Sequence, residues 1–214
     1  MGSVGSNGDI NRKLTVPLRL ARADYVTLAG LGLGWTAISL LLLEQPDLAT
    51  LLLLVAFLCD KADGSLARRG HGSPLGPQLD ALADVVIYLV PIAVLIVETL
   101  AARSPAGFIA GASIILFGVL RLARHSVGAQ ATDGGTTVYY GITAFHVAAL
   151  GLTVRLVIAS TVIPALVGTV VIGAVGPLMI APIRIDVTKR QLTGAILVGV
   201  VLGTASLLRV FGWV

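Results

Sequence analysis

Stretches of about 20 mostly apolar residues recur along this chain, which is the length a helix needs to cross the hydrocarbon core of a bilayer. The chain is 56% hydrophobic and only 12% charged, about half the charged fraction of a soluble domain. We therefore predict an all-α fold, a polytopic transmembrane helical bundle of six to seven spans. Seven is favoured, and the predicted spans are 26–43, 48–66, 78–98, 106–124, 139–158, 161–181 and 192–212.

A hinge near Ser160 leaves an alternative for the fifth and sixth segments, namely one span and a re-entrant piece. Positive charge favours seven spans, because every basic cluster then lies on one side with the amino terminus in the cytoplasm, as the positive-inside rule requires. The outer cations are Arg103, Arg155 and Arg209. The inner cations are Arg12, Lys13, Arg19, Arg22, Lys61, Arg68, Arg69, Arg121, Arg124, Arg184, Lys189 and Arg190.

The amino-terminal region differs from the rest of the chain. Residues 1–13 are polar and rich in Gly and Ser, which predicts a disordered tail before a single transmembrane domain over residues 14–214. The segment from Leu14 to Asp24 mixes apolar residues with Arg19 and Arg22, a pattern typical of an amphipathic juxtamembrane helix. A solvated linker is the alternative. We attribute the excess of basic residues to anionic membrane lipids and not to nucleic acid.

Four carboxylates interrupt one of the most apolar regions of the chain. Asp60 and Asp63 are three residues apart, and Asp80 and Asp84 are four apart, so each pair shares one face of its helix. Carboxylates in such a setting are costly to bury unless a cation, a proton or a partner neutralises them. Two helices joined by a short loop bring these faces together, and the four oxygen ligands then suit Mg²⁺ or Mn²⁺.

Two alternatives compete with a metal site at these aspartates. One is a buried ion-pair cluster between helices, with Arg68, Lys61 and Arg121 as the partners. The other is a cation or proton transporter, and that hypothesis predicts carboxylates spread through the depth of several spans. Here they cluster at one cytoplasmic-side loop beside an arginine and glycines, which favours an enzyme site that faces the cytoplasm at the cell (plasma) membrane.

Eight residues of this region form an ordered motif, Asp60-x2-Asp63-Gly64-x2-Ala67-Arg68 and then Gly76-x3-Asp80-x3-Asp84. The motif closely resembles the defining motif of the CDP-alcohol phosphatidyltransferases. These membrane enzymes transfer a phosphatidyl-type group from a CDP-linked lipid to an alcohol and release CMP. The resemblance implies two divalent cations surrounded by the four aspartates, with Asp84 also acting as the general base. Seven residues separate Arg68 from Gly76, where eight is the commoner spacing in the family.

The resemblance also implies a set of contacts to the nucleotide or its phosphates. Arg68 offers a planar, permanently charged fork to a phosphate oxygen, and Gly64 lets a phosphate or a facing helix approach closely. Asp24 and Thr27 also fit an ordinary helix start with Asp24 as the N-cap, and the two roles are compatible. The full set implied by the resemblance is Asp24, Tyr25, Val26, Thr27, Gly64, Arg68 and Ser73.

The second half of the chain narrows the branch of the family. Segments 118–124, 140–145 and 178–184 look like elements of the phosphatidylserine synthase branch, which includes the archaetidylserine synthases. This implies L-serine as the acceptor and CDP-diacylglycerol or CDP-archaeol as the donor. Thr143 and Phe145 replace two prolines of that branch. The alternative within the family is an inositol phosphate or glycerol phosphate acceptor.

Three residues are the predicted acceptor contacts. Arg121 and Arg124 close the fourth predicted span, and Thr143 lies near the start of the fifth. Arginines at such positions either snorkel or bind an anionic group. The carboxylate of serine and a sugar phosphate are both anionic, so the arginines do not separate the two acceptor classes. Glycines within spans, such as Gly34 and Gly203, allow close helix contacts, and a homodimer is one consequence.

Overall fold

The computed structural model describes residues 19–126, 131–133, 136–186 and 189–213. The helical bundle is confirmed within these ranges, where seven helices match the seven predicted segments. They are α1 (Arg22–Leu42), α2 (Pro46–Leu66), α3 (Gly76–Leu100), α4 (Pro105–Ser126), α5 (Ala144–Ser160), α6 (Ala165–Val175) and α7 (Lys189–Val210). The predicted tail at 1–13 and residues 14–18 of the predicted interfacial helix lie outside the described residues. Of its described part, residues 19–21 are not helical and residues 22–24 are the start of α1.

Within the described part of the chain, four helices are long and apolar enough to cross a membrane, judged by length and composition: α1, α3, Pro105–His125 of α4 and Thr193–Val210 of α7. Helices α5 and α6 are apolar but shorter. The 17 residues of α5 extend over about 25 Å, less than the roughly 30 Å of a hydrocarbon core. Helix α2 has the length of a span, but three charged residues lie in its last two turns. The count of seven spans therefore stays a prediction.

A small antiparallel sheet joins two connections between helices. Its strands are β1 (Ala131–Asp133), β2 (Thr136–Tyr140) and β3 (Arg184–Asp186), in the order β1-β2-β3. The α4–α5 connection is thus paired with the α6–α7 connection. Helix α5 begins at Ala144 instead of residue 139, because Gly141 turns the chain with a φ of 77° and Thr143 caps the helix.

Charged side chains divide the bundle into two ends. The aspartate end carries the start of α1, the end of α2 and the start of α3, since the first turns of α1 contact the last turns of α2. The three predicted outer cations lie at the opposite end, where each contacts a polar group of another element or of the neighbouring loop. These contacts are Arg155 to Asp47 at 2.5 Å, Arg103 to Glu98 at 2.6 Å and Arg209 to Ser160 at 3.2 Å.

Helix α3 passes through the core and is not a regular α-helix. Its turns widen to π geometry at Val85–Leu89 and Ile96–Leu100. Pro91 lies just after the first wide turn and has no N–H to donate to the preceding turn, which accounts for the irregularity there. Ile87, Leu89 and Ile92 are nevertheless fully packed. The helix therefore keeps an apolar core contact along its length while it carries two aspartates at its start.

Helices α1 and α3 are in close backbone contact at Gly34. A Cβ at this position would lie 3.0 Å from the carbonyl oxygen of Val86 and 3.3 Å from the Cα of Ile87. Both are backbone atoms, which have little freedom to move aside. At Gly32, two residues earlier, a Cβ would meet no described atom within 4 Å. Gly32 and Gly34 are therefore a matched pair on one helix. Of the two, only Gly34 lies where α1 contacts the backbone of α3.

We expect Gly34→Ala to lower the free energy of unfolding by about 1–3 kcal/mol, because overpacking forces the backbones of α1 and α3 apart. Gly32→Ala should leave it unchanged or raise it by up to about 1 kcal/mol, because alanine is the better helix former. Denaturant unfolding in detergent micelles measures both. Equal effects of the two substitutions would contradict the assigned helix crossing.

Candidate active site

The last turns of α2 and the first turns of α3 bring three of the four predicted aspartates together. Among the described residues, carboxylate oxygens of Asp60, Asp80 and Asp84 lie within 4.8 Å of one another. Asp60 and Asp84 are half-buried and Asp80 is exposed. Oxygens that ligate one Mg²⁺ lie up to about 4.2 Å apart, so small rotations of these side chains suffice. Three carboxylates this close repel unless positive charge or protons neutralise them. The residues therefore fit a hard divalent cation.

Asp63 lies beside this group and is held by other contacts. Its Oδ2 accepts a hydrogen bond from the Thr27 hydroxyl at 2.6 Å, and its Oδ1 accepts one from the Gly64 N–H at 2.5 Å. Asp63 is buried, unlike the exposed Asp80. The hydroxyl of Thr27 therefore connects α1 to the aspartate site. The role of Asp63 as a metal ligand stays a prediction.

Two residues beside Asp60 belong to the site and were not predicted as site residues. The Tyr88 hydroxyl donates to Oδ2 of Asp60 at 2.7 Å, and the Lys61 ammonium contacts the same oxygen at 2.8 Å. Tyr88 follows Asp84 by four residues, which is about one helical turn. That spacing is a signal in the sequence that could have found Tyr88, whereas Lys61 was named only as a partner in the alternative of a buried ion-pair cluster.

Asp24 and Ser73 meet at Gly76, where α3 begins. An Oδ1 of Asp24 lies 3.5 Å from the position of a Cβ on Gly76, and the Ser73 Oγ lies 4.0 Å from it. Asp24 is 1% exposed, and its Oδ2 accepts a hydrogen bond from the Ala21 N–H at 2.6 Å. Asp24 is thus the third residue of α1, and its side chain bonds back to the cap residue Ala21. The prediction of Asp24 as the N-cap was wrong. Two predicted contacts, Asp24 and Ser73, nevertheless share one corner of the aspartate end.

The remaining predicted nucleotide contacts do not all face the same part of the site. Tyr25 is 62% exposed and does not share the buried face of Asp24 and Thr27, while Val26 is half-buried. Arg68 is exposed in the π turn after α2, and its Nη1 lies 3.4 Å from the position of a Cβ on Gly64. The guanidinium therefore folds back over Gly64.

The three predicted acceptor contacts have different surroundings. Arg121 is 7% exposed, whereas Arg124 is exposed and donates to the Ile180 carbonyl at 3.1 Å. Thr143 caps α5, and its Oγ1 lies 2.6 Å from the Nδ1 of His146. His146 interacts electrostatically with both Arg121 and Lys61. Phe145, which precedes His146, lies with its ring centroid 5.5 Å from the Lys61 ammonium, so the start of α5 lies near the Asp60 side of the aspartate site.

A match to a known family covers nearly all of these elements. The family described as CDP-alcohol phosphatidyltransferase matches residues 20–205, which include every residue of the site. The chain belongs to the CDP-alcohol phosphatidyltransferase family. The resemblance that the aspartate motif suggested is thereby confirmed. This family depends on divalent metal ions in general, and the aspartate group provides suitable ligands.

Curated relatives point to one branch of the family. The chain is 34% identical over 116 residues to the CDP-diacylglycerol–serine O-phosphatidyltransferase of Mycobacterium leprae, covering 54% of this chain and 38% of that protein. It is 31% identical over 121 residues to the archaetidylserine synthase of Methanothermobacter thermautotrophicus, covering 54% and 50%. The Mycobacterium tuberculosis serine O-phosphatidyltransferase is 32% identical over 116 residues, covering 54% and 40%. The matched segments span half or less of each relative.

We expect Mg²⁺ to raise the free energy of unfolding by about 2.7 kcal/mol when its concentration is 100 times its dissociation constant. Asp80→Asn should lose most of this gain. In the presence of EDTA the same variant should be at least as stable as the native chain, because one of three repelling charges is gone. Thermal unfolding in detergent, with and without MgCl₂, measures both effects.

Glu44→Gln is the matched control, because Glu44 is an exposed acid in the turn between α1 and α2. It should respond to Mg²⁺ as the native chain does. An Asp80→Asn variant that keeps the full Mg²⁺ stabilisation would contradict the assignment of Asp80 to the metal site.

Proposed function

We propose that this chain transfers a phosphatidyl-type group from CDP-diacylglycerol or CDP-archaeol to the hydroxyl of L-serine, releasing CMP in phospholipid biosynthesis. The observation that carries the proposal is the approach of the Asp60, Asp80 and Asp84 carboxylates to within 4.8 Å at one end of an apolar bundle. The relatives named as serine phosphatidyltransferases and archaetidylserine synthase support serine. A transporter would need carboxylates along the depth of the bundle, but the four motif aspartates gather at one end.

The donor lipid has a suitable place beside the aspartates. Leu58 on α2 and Leu82 on α3 are exposed large apolar side chains at the same level of the bundle as Asp60, Asp80 and Asp84, on other faces of their helices. A lipid that lies against these helices brings its headgroup to the carboxylates while its chains stay in the bilayer. The nucleotide would then extend towards Gly64 and Arg68, whose fork suits a phosphate. Acyl and isoprenoid chains fit this apolar surface equally well.

The reaction needs a base for the serine hydroxyl, and Asp84 is the residue we assign to it. Asp84 takes the hydroxyl proton while the serine oxygen forms a bond to the lipid-side phosphorus. The bond between that phosphorus and the bridging pyrophosphate oxygen breaks, and CMP leaves with the electron pair. Because Asp84 is half-buried beside Asp60 and Asp80, its carboxylate is held in place for this proton transfer.

Asp60, Asp80 and Asp84 would hold the divalent cations, with Asp63 completing the set of four. We propose two ions, either Mg²⁺ or Mn²⁺, as the cofactor. When bound, they offset the negative charge of the two phosphates of the donor. Arg68 adds positive charge above Gly64, so the aspartate end presents cationic and carboxylate groups to one pyrophosphate.

The acceptor is the finer part of the proposal. Arg121 is buried and lies in electrostatic range of His146, which makes its guanidinium a suitable fork for the serine carboxylate. Arg124 and Thr143 are the other proposed acceptor contacts. We further propose that the site faces the cytoplasm at the cell membrane, because the three cations at the opposite end are outnumbered by those at the aspartate end. A homodimer is the proposed assembly.

The test of the substrate is an acceptor screen with purified protein, CDP-diacylglycerol or CDP-archaeol, and Mn²⁺. We expect CMP release with L-serine and little release with inositol phosphate or glycerol 3-phosphate. CMP release with inositol phosphate or glycerol 3-phosphate alone would show that this compound, and not serine, is the acceptor. The proposed reaction class would still hold. An absence of CMP release with all three acceptors and both donors would contradict the enzymatic function.

We expect Asp84→Asn to lower the turnover number by at least 10²-fold, because loss of a general base typically removes a factor of about 10²–10⁴. Its unfolding temperature in detergent should stay close to that of the native chain. CMP release at saturating serine measures the effect, with Glu44→Gln as the control. An Asp84→Asn variant with near-native turnover would refute the assignment of Asp84 as the base.

A further inference from the structure

Asp60 is held by two donors on the same oxygen. The Tyr88 hydroxyl donates to Oδ2 at 2.7 Å, and the Lys61 ammonium contacts Oδ2 at 2.8 Å. Both bonds fall on Oδ2, so neither of them engages Oδ1. The two donors differ in mobility, because Tyr88 is 2% exposed whereas the Lys61 side chain is 63% exposed. Tyr88 is therefore the rigid partner of Asp60.

An aromatic cluster from three helices holds both donors. The Tyr88 ring stacks on Phe57 of α2, with centroids 4.8 Å apart and planes at 21°. Phe145 of α5 meets both rings edge-on, at 5.8 Å from Phe57 and 6.2 Å from Tyr88. The Lys61 ammonium lies 5.5 Å from the centroid of the Phe145 ring, within the range of a cation–π contact. Phe145 thus contacts the two residues that bind Asp60.

The same cluster connects the two halves of the site. Helices α2 and α3 carry the aspartates, and α5 carries Phe145 and His146 next to the proposed acceptor region. The contacts of Phe145 to Lys61 and Tyr88 depend on its aromatic ring. This support for Asp60 is therefore a property of the aromatic residue in this chain.

We propose that Tyr88 is a positioning residue of the metal site, whose hydroxyl orients the Asp60 carboxylate so that Oδ1 faces the cation. The proposal rests on the proposed role of Asp60 as a metal ligand. Partners that hydrogen-bond a ligating carboxylate fix its orientation, and their removal typically lowers metal affinity by 10–100-fold. A merely structural role would be different, because a tyrosine that only satisfies a buried polar group has no effect on metal binding.

The test uses Tyr88→Phe in the full chain in detergent, titrated with MnCl₂ alone and followed by the electron paramagnetic resonance signal of free Mn²⁺. This variant keeps the ring stacked on Phe57 and removes only the hydroxyl. We expect the Mn²⁺ dissociation constant to rise by about 10–100-fold. In the CMP-release assay, the Mn²⁺ concentration for half-maximal rate should rise by a similar factor, while the rate at saturating Mn²⁺ recovers most of its native value.

Thr99→Val is the matched control, because it also removes one hydroxyl from α3. The Thr99 Oγ1 donates to the Leu95 carbonyl at 2.6 Å, far from the aspartates, so Mn²⁺ affinity should be unchanged. Should Tyr88→Phe fail to fold, Phe145→Leu tests the same support of Asp60, because it removes the ring that contacts Tyr88 and Lys61. It should weaken Mn²⁺ binding several-fold, again relative to Thr99→Val.

The outcomes separate this proposal from the proposed function. A native chain that binds no Mn²⁺ would contradict the metal site itself. Native binding together with unchanged affinity in Tyr88→Phe, or in Phe145→Leu where that variant is the one tested, would overturn the role of Tyr88 and leave the metal site standing. Equal weakening in Thr99→Val would assign the effect to general destabilisation of α3, which also overturns it.

Discussion

The mutual repulsion of three carboxylates at the junction of α2 and α3 is the constraint on which the rest of the structure depends. Asp60, Asp80 and Asp84 lie within 4.8 Å of one another in a bundle whose buried residues are mostly apolar. Such a group persists only if positive charge, protons or hydrogen bonds compensate it. Lys61 and Tyr88 supply part of that compensation on Asp60, and a divalent cation bound at the three carboxylates would supply more. Packing alone does not require these three carboxylates, so their grouping at the aspartate end indicates a chemical role.

Two ends and an apolar middle follow from the same electrostatics. Charged groups that are buried need partners, and at the far end Arg155 finds Asp47 on α2. Between the two ends the helices approach through small residues, with Gly34 against the backbone of α3. Polar chemistry is thus confined to the surfaces of the bundle where water, headgroups and substrates meet. A soluble alcohol and a membrane lipid can reach one site only in such a place.

Much of this was predictable because the relevant patterns are local. Helical intervals of three and four residues place Asp60 with Asp63 and Asp80 with Asp84, and the spacing of motif residues led to the correct family. Contacts between distant residues were not predictable. Thr27 holds Asp63 from 36 residues away, and Tyr25 turns outward although it is one of the predicted nucleotide contacts. The short sheet was also missed, because its strands lie in connections whose pairing depends on how α4 and α7 are placed.

The sequence by itself determined the helical class, the order of the helices, the family and the four aspartates, since hydrophobic length and helical spacing are properties of neighbouring residues. Only the tertiary structure decided which oxygens meet. It grouped Asp60 with Asp80 and Asp84, set Asp63 beside Thr27, and packed Phe145 against Tyr88 and Lys61. The physical reason is that a hydrogen bond or ion pair forms within about 3 Å, whereas a helical pattern specifies a face and not a distance to another helix.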